Sequence, residues 1–263
     1  MSRLFLFAGY NKNGIIDDAL VFYVTTLSHY GDVVFVMDND CPMRELNKLK
    51  PYVIYSAAKQ HGEYDFGSYK RAYIYAENKK LFDNYDFIYF VNDSVYGPVS
   101  DKDIGVVLKQ MERTKSDFVG MVSNQDEVTP EHVQSWFVGF RSEIAHNPDF
   151  SKFMHSITKQ TDKKDIINKY EIGLSKLLKS ITKKMYVLFR QDNHRCNTVY
   201  KKPWVLLQHG IPFIKKSAIS QMLSYGFLRR TIKNDIIYND IKSHGLKIKF
   251  RPFQYIKSWI NML

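Results

Sequence analysis

Apolar residues fall in short runs along the first three-quarters of the chain, separated by stretches in which they recur at helical spacing. Arg3 to Ala8 (RLFLFA) and Asp32 to Met37 (DVVFVM) have the length and texture of buried strands. Between them Ile16, Ala19, Leu20, Tyr23, Val24 and Leu27 trace one face of a helix that Gly31 ends. This strand–helix–strand unit predicts a parallel sheet with right-handed crossovers. The pattern continues with a short strand over Tyr52 to Tyr55, a helix over Gly67 to Phe82 and a strand over Asp86 to Val91. Ser100 to Asp103 reads as a capping box opening a helix to about Thr114. Strands are expected over Asp117 to Val122 and, in an antiparallel sense, over Gln134 to Phe140. Residues Asp149 to Ile181 read as helical, Lys184 to Phe189 as a last strand, and the tail as helices near Ser217 to Tyr225 and Arg229 to Ser243. The fold class is therefore α/β: a sheet flanked by helices over residues 1–199, with a basic helical C-terminal extension over 200–263.

Charge sharpens this division. The chain carries +11, and +10 of it lies beyond residue 199, where twelve Lys and Arg face only Asp235 and Asp240. A basic, aromatic-rich tail suits an anionic membrane surface, at roughly 1 kcal/mol per basic residue near the headgroups. A solvated basic face without a partner is the equal alternative. No nucleic acid is expected, since no RNP-like, zinc-finger or clear helix-turn-helix pattern accompanies the charge. Cys41 and Cys196 are too far apart for a metal motif, which fits a reducing compartment. The first apolar run is too short for a signal sequence, and nothing approaches the ~18 apolar residues of a spanning helix. A cytoplasmic protein, peripheral at the inner face of the plasma membrane, is expected.

Doubly wound sheets bind ligands beyond the carboxyl ends of their strands, so the residues there are the candidates. Gly9, after the first strand, lets a ligand approach the backbone or simply turns the chain. Asp38-Asn39-Asp40 suits ribose hydroxyls or a base, and equally an ordinary turn. In Asp65-Phe66-Gly67-Ser68-Tyr69-Lys70-Arg71, Asp65 or Ser68 can cap a helix. Lys70 and Arg71 would then oppose its dipole unless an anion such as a diphosphate sits nearby. Asn92-Asp93-Ser94 closes an apolar strand with one carboxylate, which suits Mg²⁺ or Mn²⁺ shared with substrate phosphates, or a plain turn. His132, Gln134 and Ser135 could line an acceptor pocket. Glu171, near a helix start, could take a proton from a sugar hydroxyl or serve only as a first-turn acid.

Six segments occur together in one order: FAGYNKNGIIDDALVFYVTTLSHYGDVVFVMDND, DFGSYKRA, NDSVYGP, HVQSWFVGFR, YEIGLSKLL and GIPFIKK. In this order they resemble the rhamnan synthesis protein F family of bacterial polysaccharide glycosyltransferases, over about Leu4 to Lys216. The resemblance implies a GT-A-like nucleotide-sugar fold. It puts Asp38 and Asp40 near the nucleoside, with Gly9, Ser68 and Asn92 also on the donor side, and Lys70 and Arg71 near the diphosphate. Asp93 stands at the metal motif, which here has one carboxylate instead of Asp-x-Asp, and His209 would reach the metal or the diphosphate from the far side. Glu171 would be the base of an inverting displacement, with His132, Gln134 and Lys215 toward the acceptor. The donor would be dTDP-rhamnose or a UDP-sugar of the galactose type. The acceptor would be a growing cell-surface polysaccharide or its lipid-linked oligosaccharide precursor. The alternative is a non-catalytic carbohydrate- or lipid-binding subunit of an assembly complex.

Overall fold

The computed structural model describes residues 1–99, 104–192, 198–221 and 225–244. In chain order the elements are β1 (Arg3–Gly9), α1 (Asp18–Ser28), β2 (Asp32–Met37), α2 (Met43–Leu46), β3 (Tyr55–Ala58), α3 (Tyr64–Asn78), β4 (Phe87–Asn92) and β5 (Val95–Tyr96). Then come α4 (Ile104–Glu112), β6 (Phe118–Gln125), β7 (His132–Val133), β8 (Phe137–Arg141), α5 (Pro148–His155), α6 (Lys163–Ile166), α7 (Gly173–Ile181) and β9 (Met185–Asp192). The last are α8 (Thr198–Lys201), α9 (Pro203–Gln208), β10 (Ile214–Lys215), α10 (Tyr225–Thr231) and α11 (Asp235–Ser243).

The main sheet runs β3-β2-β1-β4-β8-β6, with β7 extending the β8 side of β6 and β9 pairing along its other edge. β1, β2, β3 and β4 are parallel neighbours, β8 is antiparallel to both β4 and β6, and β9 is parallel to β6. The α/β sheet read from the sequence is thus present, with β8 and the two-residue β7 reversed within it.

β1 is buried along its whole length because it lies between two strands and two helical layers. Its side chains alternate between faces. Phe5 and Phe7 join a cluster with α1 and α4, whereas Leu4, Leu6 and Ala8 join one with α3, α5 and α7. Each of the Phe and Leu side chains contributes about 1.5–3 kcal/mol through burial. At its start, Arg3 forms a two-pronged ion pair with Glu112 of α4 at 2.5 and 2.7 Å, and Tyr89 of β4 donates to the same carboxylate at 2.9 Å.

Some expected boundaries move. α3 starts at Tyr64 rather than Gly67 and ends at Asn78, so Lys70 and Arg71 sit in its second turn, beyond the reach of the unpaired N–H groups. The opposition to the helix dipole that drew attention to them is therefore absent. β3 spans Tyr55–Ala58 rather than Tyr52 to Tyr55. The tail helices fall at Tyr225–Thr231 and Asp235–Ser243, with a 3₁₀ turn over Lys216–Gln221. The capping box at Ser100 to Asp103 and residues 245–263 of the basic tail lie outside the described residues.

One C-terminal segment returns to form a separate two-stranded sheet beside the main one. β10 pairs antiparallel with β5, and Phe213 packs its ring 5.3 to 5.8 Å from Tyr23, Trp136 and Phe137. Gly97 permits this approach, since a Cβ there would stand 2.1 Å from the Phe213 ring.

Glu112→Ala would leave the Arg3 guanidinium buried without a carboxylate. We expect a loss of about 3–5 kcal/mol, read as a lower urea midpoint. The double change Arg3→Met with Glu112→Leu should recover most of it. A loss below about 1 kcal/mol for the single change would mean that the pair behaves as a surface bridge.

Candidate functional site

A cavity of about 860 Å³ opens at the carboxyl ends of β1, β2 and β4, against the start of α3. Tyr10 follows β1, Asp38 follows β2, Asp93 and Ser94 follow β4, and Gly62, Tyr64 and Asp65 belong to the entry of α3. Lys159, Gln160 and Thr161 line it from the loop after α5, and Lys216 from the segment after β10. This is the crevice where open α/β sheets bind ligands.

Asp38 organises one wall. Its Oδ1 accepts the N–H groups of His61 (2.7 Å) and Gly62 (2.8 Å), and its Oδ2 that of Tyr64 (3.0 Å). Glu63 makes no side-chain cap at the helix start, so Asp38 satisfies the first-turn donor from another strand. His61 accepts from the Glu63 N–H and meets Ser68 Oγ at 3.1 Å. Burial, aided by the Arg71 charge, holds its pKa below the ordinary value despite Asp38.

The Asn92-Asp93-Ser94 turn forms the floor. Asn92 donates to Asp65 at 2.9 Å and accepts from Ser94 N–H and Oγ at 3.1 and 2.5 Å. Lys215 donates to Ser94 Oγ at 2.8 Å. Asp93 is buried, with Oδ2 accepting the Tyr10 N–H at 3.0 Å. Burial raises its pKa, and Lys216 and the Tyr10 N–H offset this only in part. A buried carboxylate with so little compensation attracts a cation.

Across this turn lies a second, polar cavity of about 270 Å³, lined by His132, Gln134, Trp136, Glu171, Tyr200 and Lys215 among others. Glu171 Oε2 accepts both the N–H (2.9 Å) and Oγ (2.5 Å) of Ser135, and Oε1 faces His132 Nε2 at 3.6 Å. His132 Nδ1 lies 3.0 Å from the Pro130 carbonyl. About 20% of the Glu171 side chain remains exposed. Burial alone would raise its pKa, yet the facing His132 imidazole and the Ser135 hydrogen bonds prevail and hold it below the ordinary value. Burial would lower that of His132, yet Glu171 and the Pro130 carbonyl raise it. Glu171 lies in a π-helical turn, Ile167–Ile172, between α6 and α7. Such turns recur at functional sites because the extra residue re-aims a side chain.

The structure sorts the predicted residues. Asp38, Asp93, Lys215, His132, Gln134 and Glu171 line one of the two cavities, and Asn92 braces the turn between them. Asp40 is exposed and lines neither cavity, its carboxylate accepting the Gln60 N–H at 3.4 Å. Ser68 is buried behind His61 rather than open to the cavity. Lys70 donates to the Ile157 carbonyl at 2.8 Å and Arg71 pairs with Glu63 at 2.5 Å, and neither lines the larger cavity. Gly9 makes room for the Phe35 ring, 2.6 Å from where its Cβ would be, which is a packing demand rather than a ligand's. His209 is exposed at the end of α9, its ring 4.8 Å from Phe189, and lines neither cavity. Among the described residues the trio with ligand atoms within 4.8 Å of one another is Asp17, Asp240 and His244, which includes neither Asp93 nor His209. Sequence reasoning missed Tyr10, Ser135 as the Glu171 partner, and Lys216. The last stands next to Lys215, but a two-residue strand is too short for its alternation to be read.

The His132–Glu171 pair has a pH signature. Glu171, with a depressed pKa, stabilises the fold above about pH 4.5 and loses this as pH falls through its folded value. His132, with a raised pKa, stabilises it below about pH 6.5 and loses this as pH rises through its folded value. The melting-temperature gap between the native protein and Glu171→Gln should therefore be widest between about pH 4.5 and 6.5. The His132 ring protons should titrate above 6.5 and shift downward in the variant. An unshifted His132 would show that the two groups do not interact.

Comparison with known proteins bears on this geometry. The uncharacterized protein y4gN of Sinorhizobium fredii (strain NBRC 101917 / NGR234) is 26% identical over 169 residues, 64% of this chain and 43% of that protein. The chain thus spans less than half the length of that curated relative. Among solved structures, a Desulfovibrio desulfuricans G20 protein described as a nucleotide-diphospho-sugar transferase overlaps 91% of this chain and 97% of its own. It does so at 15% identity and a TM-score of 0.41. The 4-diphosphocytidyl-2C-methyl-D-erythritol synthase of Anaerococcus prevotii DSM 20548 overlaps 72% of this chain and 86% of its own, at 13% identity and a TM-score of 0.42. At scores below 0.5 neither overlap carries an argument. The family model of rhamnan synthesis protein F, in contrast, matches residues 33–256, most of the chain. This protein belongs to the rhamnan synthesis protein F family.

Proposed function

We propose that this protein is a glycosyltransferase that moves a sugar from a nucleotide-sugar donor to a growing cell-surface polysaccharide or its lipid-linked precursor. The observation that carries the reading is the pair of cavities divided by one turn. The larger, at the strand ends, has the volume of a small-molecule site. The smaller holds an ionised carboxylate beside a histidine. Asn92, Ser94 and Lys215 form the wall between them. A donor in the first and an acceptor hydroxyl in the second would meet at this wall.

In the inverting displacement, the acceptor hydroxyl lies against Glu171, whose second oxygen Ser135 holds in place. The hydroxyl oxygen attacks the anomeric carbon, its proton passes to Glu171, and the bond to the diphosphate breaks. His132 and Ser135 keep Glu171 ionised, which readies it to accept but reduces its basicity, so proton transfer comes late. A Mg²⁺ or Mn²⁺ ion fits Asp93, a single buried carboxylate with a raised pKa at the edge of a cavity roomy enough for phosphates. When bound, the ion would neutralise charge on the departing diphosphate. Rhamnose and galactose donors both suit the family.

None of the described helices is long and apolar enough to cross a membrane. The exposed Lys201 and Lys202 follow Tyr200, which lines the acceptor cavity and is itself 41% exposed. This supports an acceptor presented from an anionic membrane surface at the cytoplasmic face.

Transfer should be measured with dTDP-rhamnose, UDP-galactose, UDP-galactofuranose and UDP-glucose. One donor should give product, and Glu171→Gln should lower its kcat by about 10²–10⁴-fold while donor affinity holds. No product from any donor, with folded protein and a lipid-linked acceptor supplied, would favour a non-catalytic binding subunit. A kcat unchanged in Glu171→Gln would remove Glu171 from the chemistry.

A further inference from the structure

Asp38 lines the larger cavity and Glu171 the smaller one, but the cations first expected at the diphosphate, Lys70 and Arg71, are held elsewhere. We propose that Lys216 is the residue that binds the diphosphate of the donor and carries its charge as it leaves. This deepens the donor-site reading above and rests on it.

The placement follows from the C-terminal strand. In β10, Ile214 pairs with Tyr96 and Lys215 with Val95, and the Lys216 N–H continues the contact by donating to the Ser94 carbonyl at 2.9 Å. β10 ends at Lys215 and the 3₁₀ turn begins at Lys216, so the backbone changes conformation between the two lysines. Lys215 lines the smaller cavity, with its ammonium on Ser94 Oγ and 5.7 Å from the Trp136 ring. Lys216 lines the larger one. Two adjacent lysines thus flank the Asn92-Asp93-Ser94 turn, one on each side.

Their engagement differs. Lys215 is hydrogen-bonded to the turn. Among the described residues, no side-chain hydrogen bond or ion pair holds Lys216. Its ammonium lies 5.2 Å from the centre of the Tyr96 ring, which fixes its direction, and Tyr96 is anchored by a 3.1 Å hydrogen bond to Asp240. Its charge acts on the buried carboxylates of Asp93 and Asp240 without contacting either. A half-buried ammonium with unused donors, facing a cavity beside the carboxylate suited to a metal, offers a phosphate a charge-assisted partner. It would stabilise the charge that develops on the leaving oxygen from a fixed position. Lys159, also on this cavity, is exposed, so its side chain is not held beside Asp93 in this way.

The test is calorimetric titration of the full chain, at fixed salt and with Mg²⁺, using UDP, UMP and uridine and the corresponding thymidine series. In the native protein the diphosphate of one series should bind more tightly than its nucleoside. Lys216→Met should weaken diphosphate binding by about tenfold or more and leave nucleoside binding unchanged. Lys216→Arg should restore most of the diphosphate affinity. If the methionine variant fails to fold, Lys216→Gln carries the same comparison. Equal diphosphate affinity in the native protein and in a folded variant overturns the role of Lys216 while leaving the donor site intact. Absence of any nucleoside diphosphate binding by the native protein overturns the donor-site reading and this inference with it.

Discussion

The Asn92 side chain sits where four segments meet. Its amide reaches Asp65 at the start of α3, its carbonyl holds the backbone and hydroxyl of Ser94, and Ser94 in turn accepts from Lys215 of β10. Asn92 is 1% exposed, so these bonds are made where an unsatisfied amide would be expensive. The network ties the end of a central strand to a helix start on one side and to the returning C-terminal segment on the other. The Asp93 backbone N–H bonds the Ala8 carbonyl of β1, which fixes the turn against its neighbour. Asp93 and Ser94 line the larger cavity, and through the Ser94–Lys215 contact the turn is joined to a residue that lines the smaller one.

The site holds charge in tension. Asp93 is buried with little direct compensation, whereas the half-buried Glu171 accepts two hydrogen bonds from Ser135 and faces His132. Desolvation pushes both carboxylates up, and only at Glu171 do its polar neighbours outweigh it, so the two pKa values move apart. Divergent environments for paired acids are a mark of assigned roles in catalysis. Lys216 partly offsets Asp93 in the free protein, and the proposed ligand adds the anionic charge that both it and a metal ion would meet.

The sheet was legible because its strands are buried on both faces. β1, β2 and β4 read as apolar runs, and their carboxyl ends led to Asp38, Asp93 and Ser94, which line the larger cavity. The second cavity was partly legible through His132, Gln134 and Glu171. What failed did so for physical reasons. Lys70 and Arg71 drew attention on the assumption that α3 starts near Gly67. Asp38 instead supplies the helix-start contact from β2, which no local pattern can reveal, and the helix begins at Tyr64. Gly9 answers the Phe35 ring on the neighbouring strand, a tertiary demand that a glycine in sequence does not disclose. The π-helical turn that presents Glu171 has no compositional signature, and β10 is too short to show a period.

A crystal structure of the protein with the nucleoside diphosphate that it binds would test the account most directly. The account predicts the nucleotide in the cavity at the ends of β1, β2 and β4, with its phosphates between Asp93 and Lys216 and the smaller cavity beyond the turn left open for the acceptor. A nucleotide seated elsewhere, or one whose phosphates point away from the Asn92-Asp93-Ser94 turn, would contradict it.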